Sequence, residues 1–334
     1  MLRRNPGLAR LLAAALIVAW SSDARAWGRD GHQTIGYLAA SLIKGSQAEK
    51  EVGKLLHSRE SLATAAEWPD CAKGRRVCNA PLTAEMTAFN HDNPKNHNYH
   101  YTDIPFGEPK YDESSIGADK NDIVHALEDA IRVLQGKTVA DPAHKFSKRE
   151  ALFLVAHLVG DIHQPLHVGA AYVDTNNTFF TPDTVAKKNK SSTEGGNWLC
   201  WRSVKLHGAW DGDYVVRAMK DAHRTTDRTY AATLKGAAEQ IDKDTGDPTG
   251  WPKKWANESL LLSKTELSSV QVLGRRRQDK SGGCGLSQLS PDPKKVAWKI
   301  DLPSTYRDEA IEIVPKQLSK AGSRLANLLQ AIWP

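Results

Sequence analysis

Apolar residues recur at intervals of three and four along most of the chain. In residues 305–332, Ile311, Val314, Leu318, Ala321, Leu325, Leu328 and Ile332 form one stripe along a long helix. The same periodicity predicts helices near 32–44, 47–57, 119–136, 147–164, 199–220, 227–244 and 254–264. Strand-like alternation is scarce. Two polar stretches, 174–197 and 274–293, read as loops, the second basic and rich in Gly and Pro. With no internal repeat and no linker, the pattern predicts an all-α protein, a single mainly helical domain.

The first 26 residues follow another pattern. Arg3, Arg4 and Arg10 precede the apolar run LLAAALIVAW at 11–20, and Ala24 and Ala26 supply a small-residue cleavage site. The run is too short to span a bilayer, and no cysteine follows it to carry a lipid. Residues 1–26 are expected to be a removed signal peptide and 27–334 an exported domain, periplasmic or secreted, without a membrane anchor. The leader's four arginines and one aspartate account for half of the formal charge of +6. The mildly basic remainder suits an anionic substrate without demanding one. Cys71, Cys78, Cys200 and Cys284 fit an oxidising compartment and allow three pairings. The local pair Cys71–Cys78 is favoured, leaving Cys200–Cys284. The run Arg275-Arg276-Arg277 reads as a solvated loop, with a nucleic-acid contact as the lesser reading.

Chemistry concentrates in AHLVGDIHQPLHVG at 156–169. Asp161 follows His157 by four residues, so on a helix both project from one face. Pro165 disfavours helix at Gln164, and His167 on the next turn can bend back toward the same pocket. His207 and Asp211 repeat the spacing in LHGAWDGD. One such pair is more often a surface hydrogen bond than a metal site. Two pairs in apolar surroundings, where a lone charge is costly, favour a divalent ion, and the His/Asp donor set favours zinc. His163 points elsewhere on the helix and reads as a structural hydrogen bonder.

Taken with WGRDGH at 27–32, EWPD at 67–70, NYHYTDIP at 98–105, GDIHQPLH at 160–167, EGGN at 194–197 and LHGAWD at 206–211, the chain resembles the S1/P1 nucleases. These are secreted zinc-dependent nucleases with a trinuclear site. It is more distantly similar to the zinc-dependent bacterial phospholipases C of the same fold. The resemblance covers nearly all of 27–334 and implies three zinc ions. It assigns Asp70, His100 and His157 to one, with Asp161 shared. Trp27, through its free amine and carbonyl, and His32 would hold a close neighbour, also on Asp161. His167, His207 and Asp211 would hold the third. His91 and His97 lie near His100, but the H-Y-T-D-I-P context selects His100; His57, His125, His144 and His223 are ordinary surface or packing residues.

The resemblance further implies hydrolysis of single-stranded DNA and RNA to 5′-phosphate products, with 3′-nucleotidase activity. Asp70 would orient the attacking water, with Lys73 and Asn197 on the phosphate side, Tyr101 stacking on a base and Asp103 bonding its edge. An exposed loop lysine, a turn asparagine and a structural Tyr/Asp pair are the plain readings of these positions. His167 to Gly195 spans about 28 residues, longer than in the compact fungal members. The family's second wall of the base pocket comes from this region, and no residue here is assigned to it. The alternatives are a phospholipase C, disfavoured because the lipases carry Glu where Asp211 stands, and a non-catalytic zinc module, which would close its coordination with four protein ligands. The working oligomeric state is a monomer.

Overall fold

The computed structural model describes residues 27–74, 78–280, 282–285, 290–291 and 296–334. The expected leader, 1–26, and part of the 274–293 stretch lie outside the described residues. Helices dominate: α1 (Arg29–Leu42), α2 (Gln47–Leu55), α3 (Leu62–Ala72), α4 (Ala84–Asp92), α5 (Ile123–Leu134), α6 (Lys148–Asp161), α7 (Val185–Ser191), α8 (Tyr214–Asp221), α9 (Asp227–Glu239), α10 (Trp251–Ser268) and α11 (Tyr306–Ile332). No described helix is long and apolar enough to cross a membrane.

The core is built on α6. Ser147 and Glu150 cap it reciprocally, and every residue from Ala151 to Asp161 is buried. Its apolar residues, Leu152, Phe153, Leu154, Val155, Leu158 and Val159, each contribute about 1.5–3 kcal/mol through burial, which offsets the cost of enclosing His157 and Asp161. Helices α3, α5 and α11 pack against it, and α1 packs on α3, α9 and α11. At Gly36 the backbones of α1 and α3 touch: an added Cβ would lie 2.4 Å from the Ala63 Cα. A larger residue would part the helix carrying His32 from the helix carrying Asp70.

The predicted helices are present except at 199–220. There the chain begins as strands β3 (Leu199–Trp201) and β4 (Val204–Lys205), and turns helical only from Leu206. With β5 (Gln271–Arg277) and β6 (Val296–Asp301) these make a four-stranded sheet of order β4-β3-β6-β5. The arginine run therefore lies on a strand, not a loop. A second, two-stranded parallel ladder pairs β1 (Ile104–Pro105) with β2 (Gly169–Ala170). The polar stretch 174–197 likewise contains α7. Both expected disulfides form: Cys71–Cys78 ties the end of α3 to the chain beyond it, and Cys200–Cys284 ties β3 to the loop after β5.

Candidate metal centre

Seven segments converge where α6 ends. Helix α1 brings His32, α3 brings Asp70, the turn Asn96–His100 brings His100, and α6 brings His157 and Asp161. Gln164 is extended before Pro165, so the helix stops and the turn Pro165–His167 swings His167 back. His207 lies on the single turn Leu206–Gly208. Asp211 follows in a widened turn, Ala209–Asp213, where the Tyr214 amide donates to the Ala209 carbonyl five residues back.

Asp161 faces two ways. Its Oδ1 lies 3.1 Å from His32 Nε2, and its Oδ2 lies 3.0 Å from both His100 Nδ1 and His157 Nε2. His100 and His157 approach each other to 2.8 Å and stand 3.8 and 3.7 Å from Asp70 Oδ1. Four donors around zinc at about 2.0–2.2 Å stand about 3.3–3.6 Å apart, and the four atoms bracket that spacing.

The second cluster states the electrostatic problem more sharply. His167 donates Nδ1–H to the His100 carbonyl (2.6 Å), and His207 donates Nδ1–H to the Gly195 carbonyl (2.8 Å). Each neutral ring then has only a lone pair on Nε2, and these two nitrogens face each other 3.1 Å apart. Asp211 adds Oδ2 at 3.3 Å from His207. With Asp211 ionised, three buried acceptors meet with no donor among them, an arrangement suited to a cation. Beside Asp161, His157 commits Nδ1–H to the Ala66 carbonyl at 2.6 Å, which in the neutral ring turns the Nε2 lone pair toward Asp161 and His100. Asp211 Oδ2 is buried without a hydrogen-bond partner, and His32 Nε2 and Asp161 Oδ1 are enclosed with only each other to meet, 3.1 Å apart. The residues fit zinc.

Burial holds His32, His100, His167 and His207 below the ordinary imidazole range, His100 at about 3, so these rings are neutral and able to ligate. Burial also pushes Asp211 up to about 7, against the opposing pull of His207 and Gln164. For Asp70, burial acts upward but is outweighed by Lys73, His157 and His100, which hold the carboxyl low. Lys73 Nζ sits 2.8 Å from Asp70 Oδ1. A third group, Glu67, Cys71 and Cys78, has the spacing of a metal site, but its sulfurs are joined as a disulfide and offer no thiolate.

Trp27, the first described residue of the chain, is fully buried, and the Gly28 amide donates to the Asp211 carbonyl at 2.6 Å. The start of this domain is thus fastened to a residue of the second cluster. A model of the S1/P1 nuclease family matches residues 27–334. The chain belongs to the S1/P1 nuclease family. Among its relatives, Endonuclease 2 of Arabidopsis thaliana is 25% identical, over 95% of this chain and 96% of its own. Nuclease S1 of Aspergillus oryzae is 24% identical over 98% of both chains, and Nuclease P1 of Penicillium citrinum is 24% identical over 92% and 97%.

Of the residues expected to meet substrate, Tyr101 follows His100 directly and is 38% exposed. Asp103 is half-buried, and burial pushes it up to about 6 despite Lys188. Asn197 closes the EGGN turn, with Nδ2 donating to the Glu194 carbonyl (3.0 Å) and Oδ1 buried without a partner. Gly195 in that turn has φ +59° and carries the carbonyl that holds His207. The long stretch after His167 folds onto the Tyr101–Gly107 segment. Tyr172 donates its hydroxyl to the Asp103 carbonyl (2.7 Å), and Phe179 meets Phe106 edge-on at 5.4 Å.

Sequence reasoning passed over Gln164, whose Nε2 donates to Asp211 Oδ1 (2.7 Å) while its Oε1 accepts the Leu166 amide. Its place before Pro165 was the available signal. His163 is the expected structural residue: Nδ1–H donates to the Val159 carbonyl, and Nε2 accepts from Arg324 at 2.9 Å. Tyr101→Ala is expected to weaken oligonucleotide binding by about 1–3 kcal/mol with little change in kcat. Wild-type affinity for short oligonucleotides, measured by fluorescence anisotropy, would remove Tyr101 from the site.

Proposed function

We propose that this S1/P1-type nuclease is an exported enzyme that cleaves single-stranded DNA and RNA to 5′-phosphate products and acts on 3′-nucleotides. It would do so with three zinc ions on Trp27, His32, Asp70, His100, His157, Asp161, His167, His207 and Asp211. The facing lone pairs of His167 and His207, 3.1 Å apart beside Asp211, carry this reading. Among the described residues three protein donors meet there, which would leave a fourth position open, as a catalytic rather than a structural ion requires. When bound, zinc acidifies water toward neutral pH and neutralises charge on a departing oxygen. Asp161, whose two oxygens face different histidines, would be shared between two of the ions. Asp70 orients the attacking water, and Lys73, held against it, supplies positive charge for a phosphate oxygen. Tyr101 stacks on the base and Asp103 accepts from its edge. The chain acts as a monomer.

The purified protein beginning at Trp27 is expected to release acid-soluble nucleotides from single-stranded DNA, to lose this activity on chelation, and to contain about three zinc ions by elemental analysis. One ion or none would end the trinuclear reading. Chelator-insensitive or absent hydrolysis would end the catalytic one.

A further inference from the structure

Where α6 ends, the sequence leaves the carbonyls of Ile162 and His163 without a backbone donor among the described residues. Position 165 would serve the Ile162 carbonyl in a continued turn, but proline has no N–H. The next amide, that of Leu166, is in reach of either carbonyl by sequence spacing and instead donates to Gln164 Oε1 at 2.6 Å. The His167 amide donates to the Gln164 carbonyl at 3.0 Å. Carbonyls enclosed in this way have to be met by side chains. Ser259 Oγ of α10 donates to the Ile162 carbonyl (2.5 Å), and Gln317 Nε2 of α11 donates to the His163 carbonyl (2.7 Å). The two donors lie 97 and 154 residues away along the chain, and both are buried.

Ile162 and His163 are the span between the two His/Asp clusters. On one side lies Asp161, 3.0 Å from His100 and His157; on the other lies Gln164, which holds Asp211 Oδ1 at 2.7 Å. The carbonyls just before the span are served locally, Gly160 by the His163 amide and Asp161 by the Gln164 amide. Ser263 makes a more divided contact, because its one hydroxyl hydrogen has the Pro165 and Ser259 carbonyls both at 2.7 Å. Packing next to the two undivided donors is incomplete. A recess of about 290 Å³ has His163, Ser259 and Gln317 among its lining residues. Loss of either hydrogen bond would free a carbonyl to turn toward water there, and Gln164 and the Pro165–His167 turn would shift with it.

We propose that Gln317 and Ser259 are positioning residues for the metal centre: by pinning the His163 and Ile162 carbonyls they set Gln164, and with it His167 and Asp211, at a fixed distance from Asp161. The proposal rests on the zinc reading above, and its first readout is metal retention rather than turnover. Gln317→Met keeps the length of the side chain and removes the donor. Zinc-loaded protein beginning at Trp27 is equilibrated with graded amounts of a chromophoric chelator. Gln317→Met should hold one ion about tenfold less tightly than the wild type, the low end for outer partners of metal ligands, and the other ions within threefold. On a thymidine dinucleotide its kcat should fall about tenfold while KM stays within twofold. Ser259→Ala should act in the same direction, and Ser259→Thr, which keeps the hydroxyl, should restore wild-type zinc retention. If Gln317→Met does not fold, the two Ser259 variants decide the matter. A lowered Tm with unchanged zinc retention and kcat would leave both residues as supports of the fold and overturn the proposal. Equal weakening of every ion would overturn it too. Wild-type protein that retains no zinc would overturn the metal reading and the proposal together, so the metal content of the wild type tells the two failures apart.

Discussion

Asp161→Asn is expected to lower kcat by about three orders of magnitude or more, equivalent to about 4 kcal/mol of lost transition-state stabilisation, and to lower zinc content with it. The carboxylate presents one oxygen to His32 and the other to His100 and His157, all within 3.1 Å. An amide keeps one acceptor and turns an N–H₂ group toward the remaining ring nitrogen. On the proposed trinuclear reading, one of the two neighbouring ions would then lose a ligand, whichever way the amide is turned. Asp103→Asn makes the contrasting case, because Asp103 is assigned only to the base edge. Its loss should stay within about tenfold and appear mainly in KM. Zinc analysis and steady-state kinetics on one dinucleotide check both variants. Equal kcat losses with full zinc in each would contradict this division of labour.

The second large effect concerns the start of the domain. If Trp27 chelates zinc through its amine and carbonyl, any preceding residue converts that amine to an amide that does not ligate. A terminal amine titrates near 8 and gives up its proton readily to a metal, whereas a peptide nitrogen does not. A protein retaining Ala26 should therefore fold, hold one zinc fewer, and hydrolyse its substrate orders of magnitude more slowly. Trp27→Phe should do far less, since the chelating atoms are backbone. The Gly28–Asp211 hydrogen bond gives the position its anchorage in either case. Full metal content and full activity in a sequence-verified, uncleaved protein would leave Trp27 as a packing residue alone.

Much of this site was legible because its donors sit at helical spacing inside apolar sequence. His157 and Asp161 share a face of α6, and Pro165 marks where the chain turns to deliver His167. The second His/Asp pair is brought together even where the local structure differs from the expected helix. His207 and Asp211 meet at 3.3 Å although the segment before them is a hairpin and the turn between them is widened. Helix α3 escaped the periodicity because it has almost no polar face: Leu62, Ala63, Ala65, Ala66, Trp68, Pro69, Asp70 and Ala72 are all buried. Strands of two or three residues leave too little alternation to detect. Gln164 was hidden for another reason: its partner Asp211 lies 47 residues away, a distance only the tertiary fold closes.

The proposed ligand atoms belong to the core, and on that reading durability depends on trace-metal supply. His157 and Asp161 lie at the C-terminal end of a fully enclosed helix segment, and the two disulfides leave the unfolded chain no thiolate from its four cysteines to compete for zinc. Each tenfold rise in free zinc above a site's dissociation constant therefore adds about 1.4 kcal/mol to folding for that site. A citrate buffer and a zinc-supplemented one hold proteins of different heat tolerance, with no change in a single residue.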